Sequence, residues 1–524
     1  MRRILLSLAI ACLGIACASG GAQSADTPTL TIAQGTLAGT SDDGVAVFKG
    51  IPFAAPPVGE LRWRAPQPAP NWSGTRDASQ FGPICPQAAR RDMPDLFNKS
   101  EDCLTLNVWS ADTSATARRP VMVWIYGGAF VQGGSAYPFY NGTDLARRGV
   151  VVVSFNYRLG YLGFLAHPAL ARENPNEPTG NYGLMDQIAA LKWVQANIAQ
   201  FGGDPSNVTI FGESAGGMSV NDLVASPAAR GLFAKAIAES GLGLLPTTPL
   251  ARAQSSATDF ATRMGATGDD KAVLTKLRGL SVDEILADQA ANVRTLEPML
   301  DGKILPEDVS TAFARGDIAK VAYLAGSNSN EATLMRAIGT SGDGMIKGLG
   351  DRAAQVRAVY EQDGKLTDEQ FAQQLFTDGL FAAGAQGLAG FVAKDGEPAH
   401  VYQFAYVADG MRRMGQTGVG HGGEIVYVFG FRGLADDPRL ARFAGAITDK
   451  DRAISDKVQT YWTNFARTGD PNGNSEPQWP PYTPASPELM LFGDTTQAVP
   501  DFRKPEIALT YKLWSARTGI AAPF

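Results

Sequence analysis

The feature that most constrains this chain is the alternation of short β-branched runs with longer helix-spaced segments. Residues 120–126 (PVMVWIY), 150–155 (VVVVSF) and 207–211 (NVTIF) are apolar on both alternating faces, as strands covered on both sides of a sheet must be. Residues 235–238 (KAIA), 321–325 and 400–407 read as further strands. Between them, residues 183–200 carry Leu184, Ile188, Leu191, Trp193, Val194 and Ile198 largely at helical spacing. Strands that alternate with helices require crossover connections, so the expected class is α/β, with a mainly parallel central sheet flanked by helices. Residues 246–317 and 332–394 are mostly helix-forming and read as helical cap insertions over one end of the sheet. No repeat, low-complexity tract or linker interrupts the chain, so its 524 residues read as one large decorated domain, 26–524, behind a leader.

Residues 1–25 read as a signal peptide. Arg2 and Arg3 precede an apolar run to Ala16, followed by the small residues Ala18, Ser19, Gly20, Gly21 and Ala22. Cleavage after Ala18, Ala22 or Ala25 fits this pattern. Cys17 is where a lipoprotein signal would be modified, although Gly14 stands where such signals usually carry a larger aliphatic residue. The run is too short to span a bilayer, and no later segment reads as a membrane span. Export to a periplasmic or extracellular compartment is therefore expected. Losing Arg2 and Arg3 leaves 44 basic against 52 acidic residues, a net charge of −8, without the basic footprint of a nucleic-acid or anionic-lipid binder. Of four cysteines, Cys12 and Cys17 lie in the leader, and Cys85 and Cys103 remain. Two thiols in an exported chain read as one disulfide, with a pair of buried free thiols as the alternative.

The chemistry centres on Gly212-Glu213-Ser214-Ala215-Gly216. A G-x-S-x-G match in a chain this rich in glycine carries little by itself. Its setting carries more, because a strand enters through Phe211 and a helix-forming run follows, as a nucleophile elbow requires. A nucleophilic serine needs a base, and the chain has three histidines. His167 precedes Pro168 in a turn, and His400 opens a strand-like run. His421 lies in the glycine-rich loop GVGHGGE (418–424), after Ser214, in the order Ser…acid…His. The same loop matches G-x-G-x-x-G, but no strand leads into it, so a dinucleotide site is not indicated. Gly127, Gly128 and Ala129 directly follow a strand; their N–H groups, with that of Ala215, could form an oxyanion hole. Among many carboxylates, Glu331 is favoured because it follows the strand at 321–325 and the turn GSNSN, beyond a strand C-terminal end. A glutamate that caps a helix would occupy the same kind of position.

These residues carry a resemblance. FKGIPF (48–53), PPVG (56–59), LRW (61–63), WSG (72–74), SEDCL (100–104) with Leu106 and Asn107, NYGLMDQ (181–187), FGGDP (201–205) and TIFGESAGG (209–217) stand in this order. From about residue 48 to its end the chain resembles the type-B carboxylesterases, the family that also includes the cholinesterases, as a secreted, bacterial-type member. The resemblance implies an α/β-hydrolase fold and a serine carboxylic-ester hydrolase. It implies Ser214 as nucleophile, Glu331 as acid and His421 as base, with Gly128, Ala129 and Ala215 forming the hole. Ala129 stands where the family often has a third glycine. The resemblance also supports the Cys85–Cys103 bridge and places Glu213 and Ser240 behind the triad, with Glu239 replacing the more usual glutamine. The implied substrate is a small-molecule ester, and the implied mechanism needs no metal or organic cofactor. Phe97 is the sole aromatic between the two cysteines, so the tryptophan with which cholinesterases hold choline is not evident there. Phe130, Tyr161 and Phe164 could line a substrate pocket but read first as core. An amidase or carbamate hydrolase would use the same triad. A non-catalytic adhesion protein of this fold would often lack a member of it.

Overall fold

The computed structural model describes residues 27–88, 97–292, 296–436, 447–473 and 477–523. The expected signal peptide, with Cys17, lies outside the described residues. An eleven-stranded sheet organises the rest. Its strands are β1 (Thr40–Asp42), β2 (Val45–Pro52), β3 (Thr105–Ser110), β4 (Arg119–Ile125), β5 (Val151–Phe155), β6 (Gly203–Glu213), β7 (Lys235–Glu239), β8 (Ala322–Asn328), β9 (Ala399–Phe404), β10 (Glu488–Phe492) and β11 (Thr496–Pro500). In space they run β1-β2-β3-β5-β4-β6-β7-β8-β9-β10-β11. From β5 to β10 every pairing is parallel, and both margins are antiparallel. The fold is an α/β hydrolase.

The parallel strands are apolar because helices cover both their faces. Every residue of β4 from Pro120 onward is buried, as is all of β5. Helix α1 (Tyr182–Asn197) is buried around most of its circumference, which explains why it lacks a clean apolar stripe. Its Asp186 meets Arg158 in a buried pair, at 2.7 Å to Nη2 and 2.8 Å to Nε. Its Gln187 donates to Ser219 at 3.0 Å, tying it to α2 (Ala215–Ala225). Phe130, Tyr161 and Phe164 are core residues: Phe130 meets Phe164 edge-on, and Tyr161 stacks on Phe260.

Residues 246–317 contain α3 (Leu250–Arg263), α4 (Asp270–Arg278) and α5 (Val282–Asn292), with a two-stranded pairing of Thr248–Pro249 and Met299–Leu300. The second helical stretch does not all lie over the sheet's end. Its last helix, α6 (Ala383–Lys394), packs against β8 and β9 as a flanking helix. Its start also lies close to the loop after β7: a Cβ on Gly384 would stand 2.8 Å from the backbone nitrogen of Gly243. The run Asp368–Lys394 is long and apolar enough to cross a membrane by composition alone. However, 83% of its most apolar window is buried inside the fold, as in a core helix. Cys85 and Cys103 form a disulfide.

Candidate active site

Three neighbouring parallel strands end together. Glu213 of β6 pairs with Glu239 of β7, which pairs with Gly326 of β8. The ladder continues one residue further: the Ser214 N–H donates to the Glu239 carbonyl at 2.9 Å, and the Ser240 N–H to the Gly326 carbonyl at 2.8 Å. Ser214, Ser240 and the turn leading to Glu331 therefore emerge side by side at the C-terminal edge, where open α/β sheets place their sites.

Ser214 occupies the sharp bend between β6 and α2, with φ 58° and ψ −123°. A left-handed φ strains a non-glycine residue, and here it turns the serine out of a buried segment. The glycines beside it are required by contact. A Cβ on Gly216 would sit 1.9 Å from the Ile125 carbonyl oxygen, and one on Gly212 2.5 Å from the same atom. Ala215 opens α2, so its N–H has no intrahelical acceptor. Across the gap, Gly128 and Ala129 also have positive φ, 116° and 54°, and Ala129 is exposed. The backbone thus tolerates an alanine where glycine is the less strained residue.

The three separated candidates meet. Ser214 Oγ lies 2.8 Å from His421 Nε2, and His421 Nδ1 lies 2.6 Å from Glu331 Oε2. The other oxygen of Glu331 accepts from Ser240 Oγ at 2.6 Å and from the Asn328 N–H at 2.7 Å. Glu331 is fully buried. It opens a short 3-10 turn, Glu331–Leu334, but its carboxylate faces inward. The histidine loop is pinned from below, with the Asn330 N–H donating to the Val419 carbonyl and the His421 N–H to Thr333 Oγ1, each at 2.9 Å. Phe381 packs against the imidazole with ring centroids 5.4 Å apart.

The other two histidines are elsewhere. His167 accepts the Ala169 N–H at 3.2 Å and caps a short helix. His400 is buried between Phe465 and Trp479, and burial lowers it to about 4.

Three buried glutamates, Glu213, Glu331 and Glu424, act on His421, and a fourth, Glu239, acts on Glu213. Glu213 Oε1 stands 3.3 Å from Nε2 without making a hydrogen bond. Glu239 accepts from Trp462 Nε1 at 2.8 Å, on helix α7 (Asp449–Thr468), and its second oxygen has no partner. Glu424 accepts from the Asn328 side chain. Burial raises Glu213 to about 7 and Glu239 to about 8, and it raises Glu424 as well. Burial alone would lower His421, but Glu213, Glu331 and Glu424 outweigh it and push the imidazole up to about 10. Glu424, Thr333 and Phe381 were not foreseen from the sequence. The one available signal was the position of Glu424 at the end of the histidine loop.

An imidazole held between a hydroxyl and a buried carboxylate can withdraw the hydroxyl proton, and the residue after this serine, Ala215, opens a helix with its N–H free of an intrahelical acceptor. The model for the carboxylesterase family matches residues 26–509. The chain belongs to the carboxylesterase family. It is 37% identical to the fumonisin B1 esterase of Sphingopyxis macrogoltabida, over 88% of this chain and 85% of that one. It is also 37% identical to the para-nitrobenzyl esterase of Bacillus subtilis, over 88% and 94%. Among solved structures, a PNB esterase superposes with a TM-score of 0.76 at 34% identity, covering 92% of this chain and 99% of the other. The carboxylesterase of Geobacillus stearothermophilus gives 0.79 at 31% identity, with the same coverage. This carboxylesterase is a hydrolase of carboxylic esters.

Proposed function

We propose that this carboxylesterase acts through an acyl-enzyme on Ser214. His421 Nε2 takes the hydroxyl proton as Oγ attacks the ester carbonyl, forming the tetrahedral intermediate. Glu331 Oε2 accepts a hydrogen bond from Nδ1–H, which fixes the tautomer and stabilises the imidazolium. The N–H groups of Gly128, Ala129 and Ala215 receive the oxyanion. The intermediate collapses as His421 Nε2 returns its proton to the departing alcohol, breaking the ester C–O bond. Water then attacks the acyl-serine, giving its proton to Nε2, which passes it to Ser214 Oγ as the Oγ–acyl bond breaks and the carboxylic acid leaves.

The observation that carries this reading is the unbroken line Ser214 Oγ–His421–Glu331, with contacts of 2.8 Å and 2.6 Å. The test uses p-nitrophenyl esters of graded acyl length with wild type and Ser214→Ala. Loss of about 10⁴-fold or more in kcat is expected. Equal rates in both proteins, or none in folded wild type, refute the assignment. The disulfide also supports export into an oxidising compartment. A mature N-terminus after Ala18, Ala22 or Ala25, read by mass spectrometry, is the expected result.

A further inference from the structure

From Val208 to Ser226 the chain is buried, except at Ser214 and Met218, which are half-buried. Residues four apart stack on a helix, so Ser214, Met218 and Asp222 share one face of α2. Beyond Met218 lies a recess of about 160 Å³. Apolar groups form most of its wall, among them Leu242, Leu245 and Val309, but Asp222 and Glu297 also line it. Asp222 is 6% exposed, and its Oδ2 has no hydrogen-bond partner. Glu297 accepts from Thr248 Oγ1. Among the described residues no lysine or arginine pairs with either carboxylate. Two arginines line an adjoining recess that Glu297 also lines: Arg263 is committed to Asp288 at 2.7 Å and 2.8 Å, and Arg252 is exposed and pairs with neither carboxylate.

A buried carboxylate without a partner is costly, and the Glu297 charge adds to the burial that already raises Asp222. A cation relieves both penalties. The apolar wall rejects a small hydrated ion but accepts the methylenes of an alkylammonium. Asp222 lies eight residues past Ser214, roughly 12 Å along the helix axis. After allowing for the side chains, that span suits an acyl chain of about six to eight carbons.

We propose that this recess is an acyl subsite for esters whose acid portion ends in an organic ammonium group, received by Asp222 and Glu297. The proposal rests on Ser214 being the acylated residue, and its test separates the two. Ethyl esters of ω-aminohexanoic and ω-aminooctanoic acids are compared with ethyl hexanoate and octanoate and with the anionic monoethyl adipate. The readout is the ratio of kcat/KM for the cationic ester to that for its neutral analogue, which cancels differences in folded fraction. Wild type is expected to favour the cationic ester. Asp222→Asn and Glu297→Gln each lower the ratio by about tenfold. A wild type that favours the neutral or anionic ester at both lengths, or a ratio unmoved in both variants, overturns the subsite.

The second arm needs no turnover. Hexylammonium chloride is expected to raise the melting temperature of Ser214→Ala more than potassium chloride does, and less so once Asp222→Asn is added. An equal effect of the two salts overturns the organic-cation reading, even if every ester is hydrolysed. If no ester is hydrolysed but the hexylammonium shift depends on Asp222, the recess stands and the acyl-enzyme reading fails.

Discussion

Replacing Glu213 by glutamine keeps the shape of the side chain and removes a charge 3.3 Å from His421 Nε2. Coulomb's law at that distance gives about 5 kcal/mol at an effective dielectric near 20 and about 1 kcal/mol in a water-like medium. At roughly 1.4 kcal/mol per pH unit, these limits bracket a shift of about one to four units. The sign follows from the charges. Glu213 favours the imidazolium, and that influence helps hold His421 at about 10; without it the proton leaves at lower pH. Since the base must be neutral to accept the Ser214 proton, activity rises with pH as His421 deprotonates. The acid limb of kcat/KM is therefore expected to move down by at least about one unit in Glu213→Gln. Stopped-time hydrolysis of p-nitrophenyl butyrate from about pH 5 to 10 measures it, read at the isosbestic wavelength of p-nitrophenol. A limb that stays in place or moves to higher pH would refute the assignment of Glu213 as the charge that sets the base.

Three further outcomes follow from the packing around the site and the disulfide. Glu239 is raised by burial to about 8 from the ordinary 4.5, so the folded state binds its proton more tightly and wild-type stability falls as pH rises through that window. Glu239→Gln removes the slope, and its advantage in unfolding free energy, measured in urea, should be small near pH 4.5 and grow toward about pH 8, by on the order of a few kcal/mol. A constant difference across the range would count against it. Gly216→Ala places a Cβ 1.9 Å from the Ile125 carbonyl oxygen and must displace the elbow, so a loss of about 10²-fold or more in kcat is expected from a folded protein; near-normal kcat would show that the bend can give. Cys85→Ser with Cys103→Ser opens a loop with a sequence separation of 18 and should cost about 3 kcal/mol in urea unfolding, whereas reductant should lower the stability of wild type but not of the variant.

Sequence and tertiary structure contributed different parts of this picture. Local pattern was enough for the strands entering Ser214 and Gly127, because β-branched runs covered on both faces have few other folds open to them. It was also enough for the elbow, since strand, small residues and helix are contiguous. With three histidines in the chain, order and loop composition singled out His421. Glu331 could be placed only at a strand's end, where a cap and a catalytic acid look alike; the inward turn of its carboxylate depends on Asn328, Ser240 and His421, the last two far away in sequence. The charge environment was less legible still. Glu213, Glu239, Glu331 and Glu424 are ordinary glutamates along the chain, and Asp222 is an ordinary polar residue in a helix. They become a buried cluster and an acidic recess only when β6, β7 and β8 align their ends beneath the histidine loop and the helical insertions close over α2. Burial and charge proximity are properties of the packed molecule, so sequence alone determined which chemistry this chain could carry, and the tertiary structure decided the field in which it operates.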